Sequence, residues 1–112
     1  MDLLAVYTTV ATRDDAQRLA RALVGQRLAA CVQIDAIDSV YHWDGALQQE
    51  PEQRLMIKTT AAAWPALAAA IRALHPYQLP AIHALPVAGA DPAYAAWVAA
   101  QVTPPTDDPA GP

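Results

Sequence analysis

The spacing of apolar residues along this chain alternates between a period near two and a period near 3.6, and each change marks an element boundary. Leu3-Leu4-Ala5-Val6-Tyr7-Thr8-Thr9-Val10 is a short apolar, β-branched run that fits a buried strand. Thr12 follows as a helix cap, with Asp14 and Asp15 in the first turn. Ala16, Leu19, Ala20, Leu23 and Val24 then fall at i, i+3, i+4, i+7 and i+8, and Arg13, Arg18 and Arg21 lie off that face. This predicts an amphipathic helix lying on something flat. From Ala30 the period becomes two: Val32, Ile34 and Ala36 share one face, while Ile37, Tyr41 and Trp43 take the other. The change of phase predicts a β-bulge near Asp35 to Asp38, or a strand buried on both faces.

Asp44-Gly45 is a two-residue hairpin signal, because both central residues of that turn need positive φ. Pro51 lacks a ladder donor, so the returning strand is expected to be bulged or at an edge there and regular again from Arg54 to Thr60. Pro65 suits the first turn of a second helix with Trp64, Leu67, Ala68 and Ile71 as its apolar stripe, and His75-Pro76 ends it. Ile82 to Val87 reads as a fourth strand. Asp91-Pro92 then caps a third helix, with Tyr94, Trp97 and Val98 expected on its buried side. Thr103 to Pro112, with four prolines and two aspartates, reads as a disordered tail behind a single domain of residues 1–102.

The order β-α-β-β-α-β plus a helix is the split βαβ arrangement, an α+β fold whose four-stranded antiparallel sheet is extended by a long hairpin. Two helices would cover one sheet face and leave the other open. With 54% apolar residues the chain is not expected to leave that face to water, which points to self-association.

Charge narrows the function classes. Seven basic residues against eleven acidic ones give a net charge of −4, and Lys58 is the only lysine, so nucleic acid is an unsuitable partner. No apolar run is long enough to span a bilayer, and the start lacks a basic secretory segment, so the expected compartment is the cytoplasm. The lone Cys31 agrees with a reducing environment. A catalytic reading finds no support: there is no nucleophile elbow, no glycine-rich phosphate loop and no carboxylate pair beside the thiol or an imidazole.

The residues able to do chemistry are few. Cys31 could give a soft thiolate to copper or zinc, or simply pack as a small apolar group. His75 could ligate a metal, or sit at a helix end where a charged imidazole meets the dipole. His83 becomes a second imidazole if the fold brings it near, while His42 at the hairpin tip is expected in solvent. Lys58 could hold an anion at an intersubunit cleft, with Trp43 and Tyr77 as apolar walls, or serve as half of an ion pair.

Several stretches together resemble the CutA divalent-cation tolerance family: Thr8-Thr9, Arg27-Leu28-Ala29-Ala30-Cys31-Val32, Tyr41-His42-Trp43-Asp44-Gly45, Lys58-Thr59-Thr60, His75-Pro76-Tyr77, Leu85-Pro86-Val87, and Tyr94 with Trp97. The similarity runs from about Leu4 to Val102. It implies a ferredoxin-like subunit, a tight homotrimer joined through long hairpin strands as in the PII proteins, and a role in tolerance of copper and other divalent cations. It also implies which residues to compare. Copper-ligand positions of the family fall here on Thr8, where a cysteine is usual, and on Leu74-His75, where a His-His pair is usual. The family's Pro-Glu-Ile is Pro80-Ala81-Ile82, and its lysine after the hairpin glycine is Ala46. His75 alone carries over.

Three classes follow. The first is a trimeric tolerance protein with no obligatory cofactor that binds Cu(II) or another divalent cation weakly, with His75, Cys31 and His83 as candidate ligands. The second is a PII-like sensor that takes a small anionic effector at Lys58, Trp43 and Tyr77 and reports to a protein partner. The third is a scaffold with no ligand.

Overall fold

The computed structural model describes residues 2–103. It contains β1 (Leu3–Val10), α1 (Arg13–Gly25), β2 (Cys31–Trp43), β3 (Ala46–Thr60), α2 (Trp64–Leu74), β4 (Ile82–Pro86) and α3 (Pro92–Gln101), with one 3-10 turn, Ala61–Ala63, ahead of α2. The strands form one antiparallel sheet in the order β2-β3-β1-β4. This is the expected α+β arrangement. Apart from Thr103, the tail lies outside the described residues.

Strand alternation sorts the sheet into two faces. Val6 and Val10 from β1 and Leu55 and Ile57 from β3 point to the side where Leu19 and Leu23 of α1 and Leu67 and Ile71 of α2 pack. Leu23, Leu55, Ile57, Leu67 and Ile71 are fully buried, each stabilising the fold by about 1.5–3 kcal/mol through lost water contact. Leu67→Ala alone would cost about 2–5 kcal/mol, because it leaves a hole between α2 and the sheet. Capping is as expected: the Thr12 side chain accepts from the Asp15 N–H at 3.1 Å, and the Asp91 carboxylate accepts from the Ala93 and Tyr94 N–H groups.

The opposite face is not wholly open. Val98 and Val102 cover Leu3, Ala30 and Ala63, so α3 and the residue after it close one end. Here the expectation for α3 fails: Val98 is buried, but Tyr94 and Trp97 are exposed and stack on each other at 6.1 Å. Alanine fills most other positions of this helix, so its stripe is weak, and the smaller Ala95, Val98 and Val102 make the contact instead.

The hairpin departs from expectation too. Its register is unbroken from Cys31↔Lys58 to Trp43↔Ala46, so there is no bulge near Asp35 to Asp38 and none at Pro51. β3 runs straight through from Ala46 instead of resuming at Arg54. The change of phase has another cause. Val32 and Ile34 pack against the helix-covered core, but β1 stops pairing at Gln53, and beyond it β2 and β3 continue as a two-stranded arm. Pro51 stands in that arm, where β3 has a neighbour on one side only, so it lies at an edge as the proline requires. Nor is the arm buried on both faces, because Val40, Tyr41, Trp43 and Leu47 are all exposed. At its tip Asp44 (φ 55°) and Gly45 (φ 77°) take the two left-handed conformations the turn needs.

Candidate functional site

Pro76 forces the residue before it out of the helical region, and His75 takes φ −74° and ψ 135°. The imidazole is thereby placed against the sheet. Its Nε2 lies 2.8 Å from the Thr9 carbonyl oxygen, and its Nδ1 accepts from the Tyr77 N–H at 3.1 Å. An acceptor at Nδ1 leaves the proton on Nε2, which donates to Thr9, so this geometry belongs to the neutral ring. Burial pushes the His75 pKa down, opposed by the Thr9 hydrogen bond and by Asp15 and Glu52.

Tyr77 extends the anchor. Its ring tilts against His75 at 4.8 Å, and its hydroxyl donates to Glu52 Oε2 at 2.7 Å. Glu52 is only 8% exposed, and a carboxylate withdrawn that far from water needs such a donor. Burial first, then the bond to and charge of Glu52, hold the Tyr77 phenol well above its ordinary range.

These bonds fix the loop from His75 to Ile82 across from the hairpin arm, and a cleft of about 1060 Å³ lies between them. Tyr41, Trp43, Glu50 and Glu52 line it from the arm, and Tyr77 and Leu79 from the loop. No lysine, arginine or histidine is among the lining residues. The Tyr41 phenol is raised by partial desolvation and then by Glu50 and Glu52, as expected where negative charge is uncompensated.

The candidate metal ligands are not gathered in one chain. Cys31 begins β2, with its Sγ 3.8 Å from the Tyr94 hydroxyl. His83 lies on the same sheet face but on β4, at the far edge, where it stacks on Tyr7 at 5.3 Å. Three strand spacings separate the Cys31 and His83 strands, about 14 Å. His75 belongs to the loop anchor described above. Among the described residues no group of three or more His, Cys, Asp or Glu is placed to hold a metal ion.

The cleft candidates divide similarly. Trp43 and Tyr77 do line one cleft. Lys58 pairs with Cys31 at the other end of the 13-residue β2, about 40 Å from Trp43 along the strand, and its Nζ donates to Gln33 Oε1 at 3.2 Å. The residues that sequence reasoning missed are Glu50, Glu52 and Tyr41. A signal for them existed: counting outward from the Asp44-Gly45 turn puts Ser39 opposite Glu50 and Ile37 opposite Glu52, on the face that also carries Tyr41 and Trp43.

A family model described as CutA1 divalent ion tolerance protein matches residues 4–101. The chain belongs to the CutA1 family. A CutA divalent-cation tolerance protein of Thermus thermophilus is 43% identical over 94 residues, 83% of this chain and 91% of that protein. The rice protein named as a chloroplastic CutA is 38% identical over 85% of this chain, which spans about half of its length (54%). The solved Thermus thermophilus CutA1 structure superposes with a TM-score of 0.86 at 39% identity, covering 90% of this chain and 99% of that one. CutA1 membership agrees with the split βαβ sheet and the long hairpin. Among the described residues no helix is long and apolar enough to cross a membrane.

Proposed function

We propose that this CutA1-family chain acts in divalent-cation tolerance as a cytoplasmic homotrimer that binds divalent metal ions weakly, at its surface or between subunits, without an obligatory cofactor. The observation that carries the reading is the hairpin arm, which runs past the sheet body with Val40 62% and Leu47 67% exposed on the face turned away from Trp43. A large apolar surface of this kind is stable when another copy covers it. Weak metal binding fits the scattered candidates: Cys31 and His83 lie on strands far apart and both His75 ring nitrogens are already hydrogen-bonded, so a site draws on more than one subunit or on few donors. Light scattering should return three times the 11.9 kDa chain mass, and calorimetric titration with Cu(II) and Zn(II) should show low affinity. A monomer, or no binding of either metal, removes the reading.

A second reading is favoured by the cleft itself. Effector binding in the manner of PII proteins would use the wall formed by Trp43 and Tyr77, with Lys58 supplied by a neighbouring subunit if the effector is an anion. A thermal-shift panel of small metabolites tests it, and no shift with any compound rejects it.

A further inference from the structure

We propose that the cleft between the hairpin arm and the His75–Ile82 loop binds an organic ammonium ion, an aliphatic amine whose charge sits against Glu50 and Glu52 and whose hydrocarbon lies on Trp43 and Tyr41. The proposal deepens the effector reading and rests on it, but it reverses the sign of the ligand.

Three observations carry the assignment. The first is charge: two carboxylates line the cleft and no cationic side chain does, so an anion would enter against an uncompensated field. Lys58, the group that would draw an anion, is held by Gln33 at the far end of the hairpin. The second is the state of Glu52. It is more than nine-tenths buried and faces the cleft, and the hydrogen bond it receives among the described residues is from Tyr77 to Oε2, which leaves Oε1 for a ligand. Oε1 opens to the cleft and is not sealed off without a partner, so a donor carrying positive charge can reach it and binds it more strongly than a neutral one.

The third is the nature of the walls. Tyr41, Trp43 and Tyr77 present aromatic rings, which attract a cation at their faces and cover the methylene groups attached to it. A bare metal ion uses none of this. It would want three or more oxygen, nitrogen or sulfur donors, and among the described residues no such group converges here. An apolar segment would suit the rings but would cover the Glu50 and Glu52 carboxylates with no positive charge beside them. An alkylammonium ion satisfies both, and with Glu50 and Glu52 two positions apart on one strand face a diamine can address both carboxylates.

The test is calorimetric titration of the full-length chain with 1,4-diaminobutane and with butylamine at fixed ionic strength, alongside 1,4-butanediol and succinate as uncharged and anionic compounds of matching length. The expected result is saturable binding of the two cations, one per chain, with neither the diol nor succinate bound. Glu52→Gln and Trp43→Leu should each weaken diamine binding at least about tenfold. Circular dichroism and light scattering check that the variants are folded. Should Glu52→Gln disturb the loop, Glu50→Gln and Trp43→Leu, both at exposed positions, carry the test. Cation affinity unchanged in those variants, or matched by the diol, overturns the proposal. Succinate binding in place of the diamine overturns the ammonium assignment while leaving the effector reading standing. No binding by any of the four overturns the proposal, and the metabolite panel then decides the effector reading separately.

Discussion

The His75 imidazole and the Thr9 carbonyl, 66 residues apart in sequence, are joined by a 2.8 Å hydrogen bond that ties the end of α2 to the end of β1. The other ring nitrogen holds the Tyr77 N–H, so a metal ion at either nitrogen would have to displace a bond that shapes the loop. His75→Ala should therefore lower stability by about 1–3 kcal/mol, because a mostly buried site loses a donor and an acceptor together. Copper affinity should not change. Denaturant unfolding measures the first and calorimetry the second; a site for Cu(II) that disappears in the variant would make His75 a ligand instead.

The same ring gives the fold a pH dependence whose sign follows from the direction of its shift. Burial lowers the folded-state pKa of His75 below the ordinary 6.5, so in mild acid the unfolded chain takes up a proton that the folded chain refuses. Stability is complete above about pH 6.5 and falls as the pH drops toward and past the folded value. Protonation also removes the acceptor for the Tyr77 N–H. Unfolding free energy measured between pH 8 and pH 5 should decline for the unmodified chain and decline less for His75→Ala, and equal slopes would rule His75 out as the source.

Tyr77 and Glu52 make the complementary case on the alkaline side. Tyr77→Phe removes the donor from a nearly buried carboxylate and should cost about 1–3 kcal/mol, as for a hydrogen bond to a charged group. Because the folded Tyr77 pKa is raised above the ordinary 10, its contribution is intact below that pH and is lost as the pH rises beyond it. A spectrophotometric tyrosine titration should show one phenol fewer ionising at high pH in Tyr77→Phe than in the unmodified chain, with the missing one titrating late. Because Tyr41 and Tyr94 are raised as well, the readout is the number of late phenols, and a number unchanged in the variant would assign the latest one elsewhere.

Local signals in the sequence carried most of the fold. Thr12, Asp91, Pro65 and His75-Pro76 each act within one turn of chain, so their effects could be read directly, and Asp44-Gly45 set the hairpin register by itself. Errors arose where the deciding contact is remote. Ile37, Tyr41 and Trp43 changed face in the pattern because β1 ends beside Gln53, which no residue of β2 reveals. Tyr94, Trp97 and Val98 were expected together on the buried side of α3, yet the surface α3 meets is Leu3, Ala30 and Ala63, which takes Val98 and leaves the two rings outside. The site was the least legible part. Glu52 in the sequence is an ordinary acidic strand residue, and it becomes a buried acceptor because Tyr77 arrives from 25 positions away.

The hairpin tip offers a test of backbone conformation free of packing. Gly45 has φ 77°, and a Cβ added there would meet nothing within 4 Å, so Gly45→Ala probes only the cost of the left-handed conformation, about 1–2 kcal/mol. Asp44→Asn should be nearly silent, since asparagine accepts that region as well as aspartate does. Thermal melting of the two variants compares them, and an Asn variant as unstable as the Ala variant would mean that the Asp44 carboxylate, not the turn geometry, matters.

Thr8 and Thr59 are both buried threonines on the helix-covered face of the sheet, and they should respond oppositely to the same substitution. The Thr59 hydroxyl donates to the Leu28 carbonyl at 2.7 Å, tying β3 to the segment before β2. The Thr8 hydroxyl, opposite Leu55 and Ile82 in the ladders, has no hydrogen-bond partner among the described residues. Valine has nearly the same shape as threonine, so the substitution isolates the hydroxyl. Thr59→Val should lose about 1–2 kcal/mol, because it leaves a carbonyl without its donor. Thr8→Val should be neutral or gain about 1 kcal/mol, because it removes a polar group that is desolvated without compensation. Denaturant unfolding of the two variants side by side decides the matter, and a Thr8→Val loss as large as that of Thr59→Val would show that the Thr8 hydroxyl has a bonded partner in solution.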